Sequence, residues 1–205
     1  MLERLKSLSL KRPEAGLYPV IAVGASLGGI SALSVLLSGL PADFPAPLLI
    51  VQHLSSAHKS YLPDILSRRS ALKVVEASAG ETIQPGTAYL APPDNHLLVK
   101  DGCIELSREP PYHFLRPSID LLLESVAVSF KHRTIAVILT GSGSDGSQGL
   151  LQIKQAGGLV IAQETSSAKA SGMPDAAVKT QAVDLSLPLE QIAAALIYLV
   201  MEGTA

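Results

Sequence analysis

Cysteine occurs once in these 205 residues and tryptophan not at all, and aromatic side chains make up only 4 % of the chain. The single Cys103 excludes an internal disulfide, and without a Cys/His cluster at ligand spacing a structural zinc site has no support. Cys103 reads as a small, half-buried hydrophobe. Charge of one sign is also lacking: 16 Lys+Arg against 18 Asp+Glu give a formal net charge of −2, so there is no basic field with which to neutralise a nucleic-acid backbone. Long apolar runs are missing too. "IAAALIYLVM" (192–201) is about half the ~20 residues of a membrane span and is flanked by Glu190 and Glu202, so it reads as a core-facing helix. The first fifteen residues, "MLERLKSLSLKRPEA", have neither the apolar stretch nor the small-residue cleavage site of a secretory signal, which makes the cytoplasm the expected compartment. Residues 1–17 read as a tail or linker and 18–205 as one domain, with no internal repeat or low-complexity segment.

What is present is alternation. At 47 % hydrophobic residues the chain can bury an ordinary single core. Short β-rich runs fall at Val20–Val23, Leu48–Val51, Thr87–Leu90, Ile135–Thr140 and Leu159–Ala162, with a weaker one at Lys73–Glu76. Between them lie helical spacings: Ile30, Leu33, Leu37 and Leu40, stopped by Gly39 and Pro41; then Ile119, Leu122, Leu123, Val126 and Phe130 behind the start signals Pro117 and Ser118; then Leu150, Leu151 and Ile153, ended by Gly157-Gly158. Strands alternating with helices imply an α/β fold, a doubly wound, mostly parallel sheet with helices on both faces. "LLVKDGCIEL" (97–106) departs from this rhythm, because Asp101-Gly102 is a favoured two-residue hairpin turn; it should be an appended antiparallel β-hairpin.

In such sheets ligands and reactive groups collect outside the carboxyl ends of the strands. There the sequence places Gly24-Ala25-Ser26-Leu27-Gly28-Gly29 after the first strand, Gln52-His53 after the second, and Gly141 to Gly146, with Asp145, after the Ile135–Thr140 run. Gly24 to Gly28 reads G-x-S-x-G, a nucleophile-elbow pattern in the strand, turn, helix setting that it requires. A phosphate-binding loop is the rival reading, although G-x-G-x-x-G and G-x-x-x-x-G-K-[ST] are both absent; tight packing without chemistry is the third. A serine hydroxyl needs a base, and a histidine base works best when a third group orients it. His53 is the histidine directly at a strand end, and His96 in "APPDNH" is an alternative base. His58, His113 and His132 read as surface residues of loops or helix ends. Asp145 suits the orienting role, or else caps the helix that runs through Leu150. The order Ser26, His53, Asp145 differs from the Ser, Asp/Glu, His order of α/β-hydrolases.

With these residues assembled, the sequence resembles the catalytic domain of the CheB family of chemotaxis methylesterases. The motifs that carry the resemblance are "GASLGG" (24–29), "VQH" (51–53), "AYLAPPDNH" (88–96), "RPSID" (116–120), "ILTGSGSDGSQGL" (138–150) and "SGMPDAA" (171–177). The resemblance implies hydrolysis of glutamate methyl esters on cytoplasmic helices of methylated chemoreceptors, often with deamidation of receptor glutamines. It implies a catalytic triad of Ser26, His53 and Asp145, and no metal or organic cofactor. Leu27 stands where the family usually has threonine and Ser142 where it has methionine, both beside the expected oxyanion site; backbone N–H groups near Leu27 and in the Ser142 loop would still serve there. Two other functions fit the same pattern: a CheB-like signalling or docking module of low or no activity, and an esterase for another methyl ester. Family members often carry a receiver domain ahead of the catalytic one. The stretch before Val20 is too short for it, which leaves an excised domain, a stand-alone form or part of a larger fusion, with a receiver domain or other chemotaxis regulator as partner.

Overall fold

The computed structural model describes residues 5, 8, 18–54 and 61–202. The stretch 1–17, read above as a tail or linker, therefore lies outside the described residues apart from Leu5 and Leu8, as does His58. Leu5 is buried in the core.

Seven strands form one parallel sheet: β1 (Val20–Ala25), β2 (Leu48–Gln52), β3 (Lys73–Glu76), β4 (Thr87–Leu90), β7 (Thr134–Ile138), β8 (Leu159–Gln163) and β9 (Leu185–Leu187), in the spatial order β3-β4-β2-β1-β7-β8-β9. The chain leaves β1 toward β2 and later returns to pair β7 on its other side, so the winding reverses at β1. That is the crevice where an open α/β sheet offers a site. β5 (His96–Lys100) and β6 (Cys103–Ser107) make the expected separate antiparallel hairpin. Its turn residues Asp101 and Gly102 both have positive φ, 51° and 77°, as a primed turn demands.

The α-helices described with bounds are α1 (Gly29–Ser38), α2 (Leu62–Ser67), α3 (Ile119–Phe130), α4 (Ser147–Gln155), α5 (Gly172–Lys179) and α6 (Leu189–Ile197). Alternation along β1 assigns its two faces. Ile21, Val23 and Ala25 pack with Leu33, Leu36 and Leu37 of α1 and Ile192 and Leu196 of α6, whereas Val20 and Ala22 pack with Leu122, Leu123 and Val126 of α3, Ile153 of α4 and Met173 of α5. Burial on both faces is why the central strands are apolar without interruption, and each fully buried Leu or Ile contributes roughly 1.5–3 kcal/mol. Gly24 ends this packing at the site: a Cβ there would meet Ile119 Cγ2 at 2.5 Å, so α3 begins directly against the end of β1.

Three expectations need adjustment. Ile30 is 37 % exposed and faces away from the core that holds Leu33 and Leu37. The run to Thr140 leaves the ladder at Ile138, because Thr140 N–H donates to the Gln163 side chain and Thr140 Oγ1 donates to the carbonyl of Leu27 while accepting from Ala170 N–H. The late apolar run is α6 followed by a π-helical turn, Tyr198–Glu202, with Leu199 and Val200 still buried. Among the described residues no helix is long and apolar enough to cross a membrane.

Candidate active site

Three loops are fastened together at the carboxyl edge. Ser26 N–H donates to the carbonyl of Thr140 at 3.0 Å, and His53 N–H donates to the carbonyl of Ala25 at 3.0 Å. The Gln52 side chain completes the staple: Nε2 donates to the carbonyls of Ser26 and His53, 2.8 Å each. From the other side Gly141 approaches so closely that a Cβ there would lie 2.8 Å from Ser26 Cβ and 2.1 Å from Met173 Sδ. The elbow serine is thus held by a backbone bond to Thr140 on one side and by the Gln52 side chain on the other.

His53 Nε2 lies 2.9 Å from Asp145 Oδ2, with side-chain exposures of 14 % and 5 %. Asp145 Oδ2 also accepts from Ile119 N–H at 2.8 Å, and Oδ1 accepts from Asp120 N–H at 3.0 Å and from Ser118 Oγ at 3.1 Å. The carboxylate therefore sits on the N-terminus of α3, where unpaired N–H groups and the helix dipole favour negative charge. It contacts the histidine, and it caps a helix, but that helix is α3; α4 is capped by Gly146 at φ 98° without a side-chain bond.

Burial alone would raise the Asp145 carboxyl, but hydrogen bonds from His53 and from the Ile119 and Asp120 N–H groups, together with the His53 charge, outweigh it and hold the group below the usual carboxylate range. Asp120, only 3 % exposed, is the opposite case. Burial and the negative charge of Asp145 raise it to about 6, against the opposing effect of the Gly149 N–H that it accepts at 2.8 Å.

Ser26 and His53 line one cavity of about 430 Å³ with Leu27, Gln52, Leu54 and Lys169. Among the described residues no hydrogen bond joins Ser26 Oγ to the ring; such bonds commonly tighten only when substrate closes the site. Nε2 is the ring nitrogen that faces Asp145, and Nδ1 has no hydrogen-bond partner among the described residues. The N–H groups of Leu27, Gly28 and Ser142 have no partner among the described residues, and α1 has no side-chain cap, so donors remain for an oxyanion beside Ser26. Leu27 is 55 % exposed at the rim, and its carbonyl, not its side chain, joins the internal network. A larger hollow of about 970 Å³ between the hairpin and α3 holds no histidine and lies apart from these groups.

His96 is not placed as a base. It is fully buried, its Nδ1 accepting from Ser118 N–H at 3.2 Å and its Nε2 facing the carbonyl of Pro110 at 3.4 Å, so it braces the start of α3. Sequence reasoning found Ser118 only as a helix start, and assigned nothing to Gln52, Asp120 or Lys169. Among the described residues no group of three or more His, Cys, Asp or Glu is arranged to hold a metal ion.

Comparison with known proteins identifies the family. The family model of CheB methylesterase matches residues 21–196. The protein-glutamate methylesterase FrzG of Myxococcus xanthus is 45 % identical over 180 residues, covering 87 % of this chain and 54 % of that protein. A protein-glutamate methylesterase/protein-glutamine glutaminase of Anaeromyxobacter dehalogenans is 42 % identical over 177 residues, 86 % of this chain and 52 % of that one. The chain thus spans about half the length of these relatives. The crystal structure of the Thermotoga maritima CheB methylesterase catalytic domain superimposes with a TM-score of 0.86 at 36 % identity, covering 90 % of this chain and all of that one. A sheet that reverses its winding at β1, with serine, histidine and aspartate loops at its carboxyl edge, and a match over most of its length make this chain a member of the CheB methylesterase family.

Proposed function

We propose that this chain is a serine esterase that removes methyl groups from glutamate methyl esters on the cytoplasmic helices of chemoreceptors, and that the same site deamidates receptor glutamines. The observation that carries the reading is the His53 to Asp145 hydrogen bond, made by a histidine that lines the same cavity as Ser26. Ser26 Oγ attacks the ester carbonyl while His53 Nδ1 takes its proton; Asp145 holds the ring and stabilises its charged form. The oxyanion is held by the N–H groups of Leu27 and Gly28. The carbon–oxygen bond to the methoxy group then breaks, and His53 returns the proton so that methanol leaves. Water, deprotonated by the same nitrogen, attacks the acyl-serine; the bond from the acyl carbon to Ser26 Oγ breaks, His53 returns the proton to Oγ, and the glutamate is freed. With a glutamine substrate the leaving group is ammonia. Domain boundaries of 18–205, a cytoplasmic location and a receiver domain or other regulator as partner belong to the same proposal.

The exposed apolar rim of Leu27, Ile30 and Leu54 supports a protein substrate over a small one, since such side chains need a broad apolar surface to cover them. A comparison of kcat/KM for a methylated receptor fragment and for small unrelated methyl esters tests this. The fragment should be preferred by at least tenfold; equal or better turnover of the small esters would contradict it.

A further inference from the structure

The cavity beside Ser26 is uneven in charge. Among the described residues no carboxylate lines it, and the one lysine or arginine among them is Lys169, from the segment between β8 and α5. The stem of Lys169 lies along the nucleophile turn. Its Cβ, Cδ and Cγ are 2.7, 3.1 and 3.3 Å from where a Cβ would stand on Gly28, whose φ of 84° together with this contact demands glycine. An exposed lysine ordinarily keeps its stem on apolar surface and its head in water. Here the stem tracks the turn that carries Ser26, and Lys169 lines the cavity with its side chain exposed. Among the described residues Lys169 has no ion-pair or hydrogen-bond partner. A cation beside Ser26 with no counter-charge among the described residues is suited to a negative charge that arrives with the substrate.

We propose that Lys169 is a specificity residue that selects glutamyl esters with an ionised carboxylate close to the ester. This rests on the esterase reading above and deepens it. The reaction itself makes carboxylates: on a segment with several esterified glutamates, each turnover leaves one beside the remaining esters, so the preference favours a partly hydrolysed segment over a fully esterified one.

The test uses two helical peptides that carry one glutamate γ-methyl ester, flanked in one by free glutamates and in the other by glutamines, with steady-state kinetics for the wild-type chain and for Lys169→Ala, Lys169→Glu and Lys169→Arg. An exposed ion pair of ordinary strength gives a preference for the acidic peptide of about two- to fivefold at low salt, shrinking as salt is added. It should appear in KM, because the pair forms equally in the ground and transition states. The ratio should fall to one in Lys169→Ala, invert in Lys169→Glu and persist in Lys169→Arg. A wild-type ratio of one, or a preference that survives in Lys169→Ala, overturns the proposal. If neither peptide is hydrolysed, the esterase reading fails, and titration of the same two peptides against wild type and Lys169→Ala still decides whether Lys169 reads the carboxylate: tighter binding of the acidic peptide through Lys169 supports it, and equal binding overturns it.

Discussion

Replacing Asp120 with asparagine should stabilise the protein at neutral pH and leave it nearly unchanged in acid. Asp120 is buried at the start of α3, with Asp145 as a charged neighbour, and is raised to about 6. An unfolded chain releases this proton near pH 3.9, so the folded state holds it across about two pH units in which the unfolded state has lost it. A raised folded value contributes stability that is complete below about pH 4 and disappears as pH rises through about 6; the full difference is about 3 kcal/mol. Roughly half of that is lost between pH 5 and pH 7.5. Asparagine carries no charge to bury, its oxygen can still accept the Gly149 N–H, and its amide can donate toward Asp145. Urea unfolding of wild type and Asp120→Asn at pH 5 and pH 7.5, at one ionic strength, should show the variant gaining about 1–1.5 kcal/mol on wild type between the two. An identical difference at both pH values, or one that shrinks toward neutral pH, would refute the reasoning.

Gln52→Ala removes both bonds that staple the Ser26 and His53 carbonyls, about 1 kcal/mol each, so Tm should fall by roughly 4–8 °C and kcat should fall with it; unchanged Tm in a thermal scan would count against the staple. Asp145→Asn should lower kcat by about 10³–10⁴-fold through loss of the charge opposite His53. The same variant should resist acid differently. The depressed Asp145 carboxyl contributes stability that is present above about pH 4 and lost as pH falls through its folded value, so wild type should lose this increment in an acid titration followed by circular dichroism, and Asp145→Asn should not. Gly24→Ala puts a methyl 2.5 Å from Ile119 and should cost about 1–3 kcal/mol in urea unfolding.

The parallel sheet, the hairpin and the three site loops were legible because they rest on local signals. Apolar runs without interruption mark strands covered on both faces, Asp101-Gly102 marks a primed turn, and G-x-S-x-G marks a strand-to-helix elbow. What was not legible depends on distant contacts. Nothing near Asp145 says that its carboxylate will meet the N–H groups of Ile119 and Asp120, 26 and 25 positions earlier. His96 has the same neighbours in sequence whether it is a base or a brace, and only its bonds to Pro110 and Ser118 decide. Short β9 and α2, with 3 and 6 residues, fall below the length at which periodicity can be read. Ile30 shares the helical spacing of Leu33 and Leu37 but lies at the first turn, where the site cavity opens.

Methanol release from a methylated chemoreceptor fragment, measured for the wild-type chain beside Ser26→Ala and His53→Ala with folding verified by circular dichroism, bears most directly on the whole account. Wild type should release methanol in step with newly formed glutamate, and each variant should be slower by at least a thousandfold. Turnover by a folded Ser26→Ala variant at the wild-type rate would contradict it.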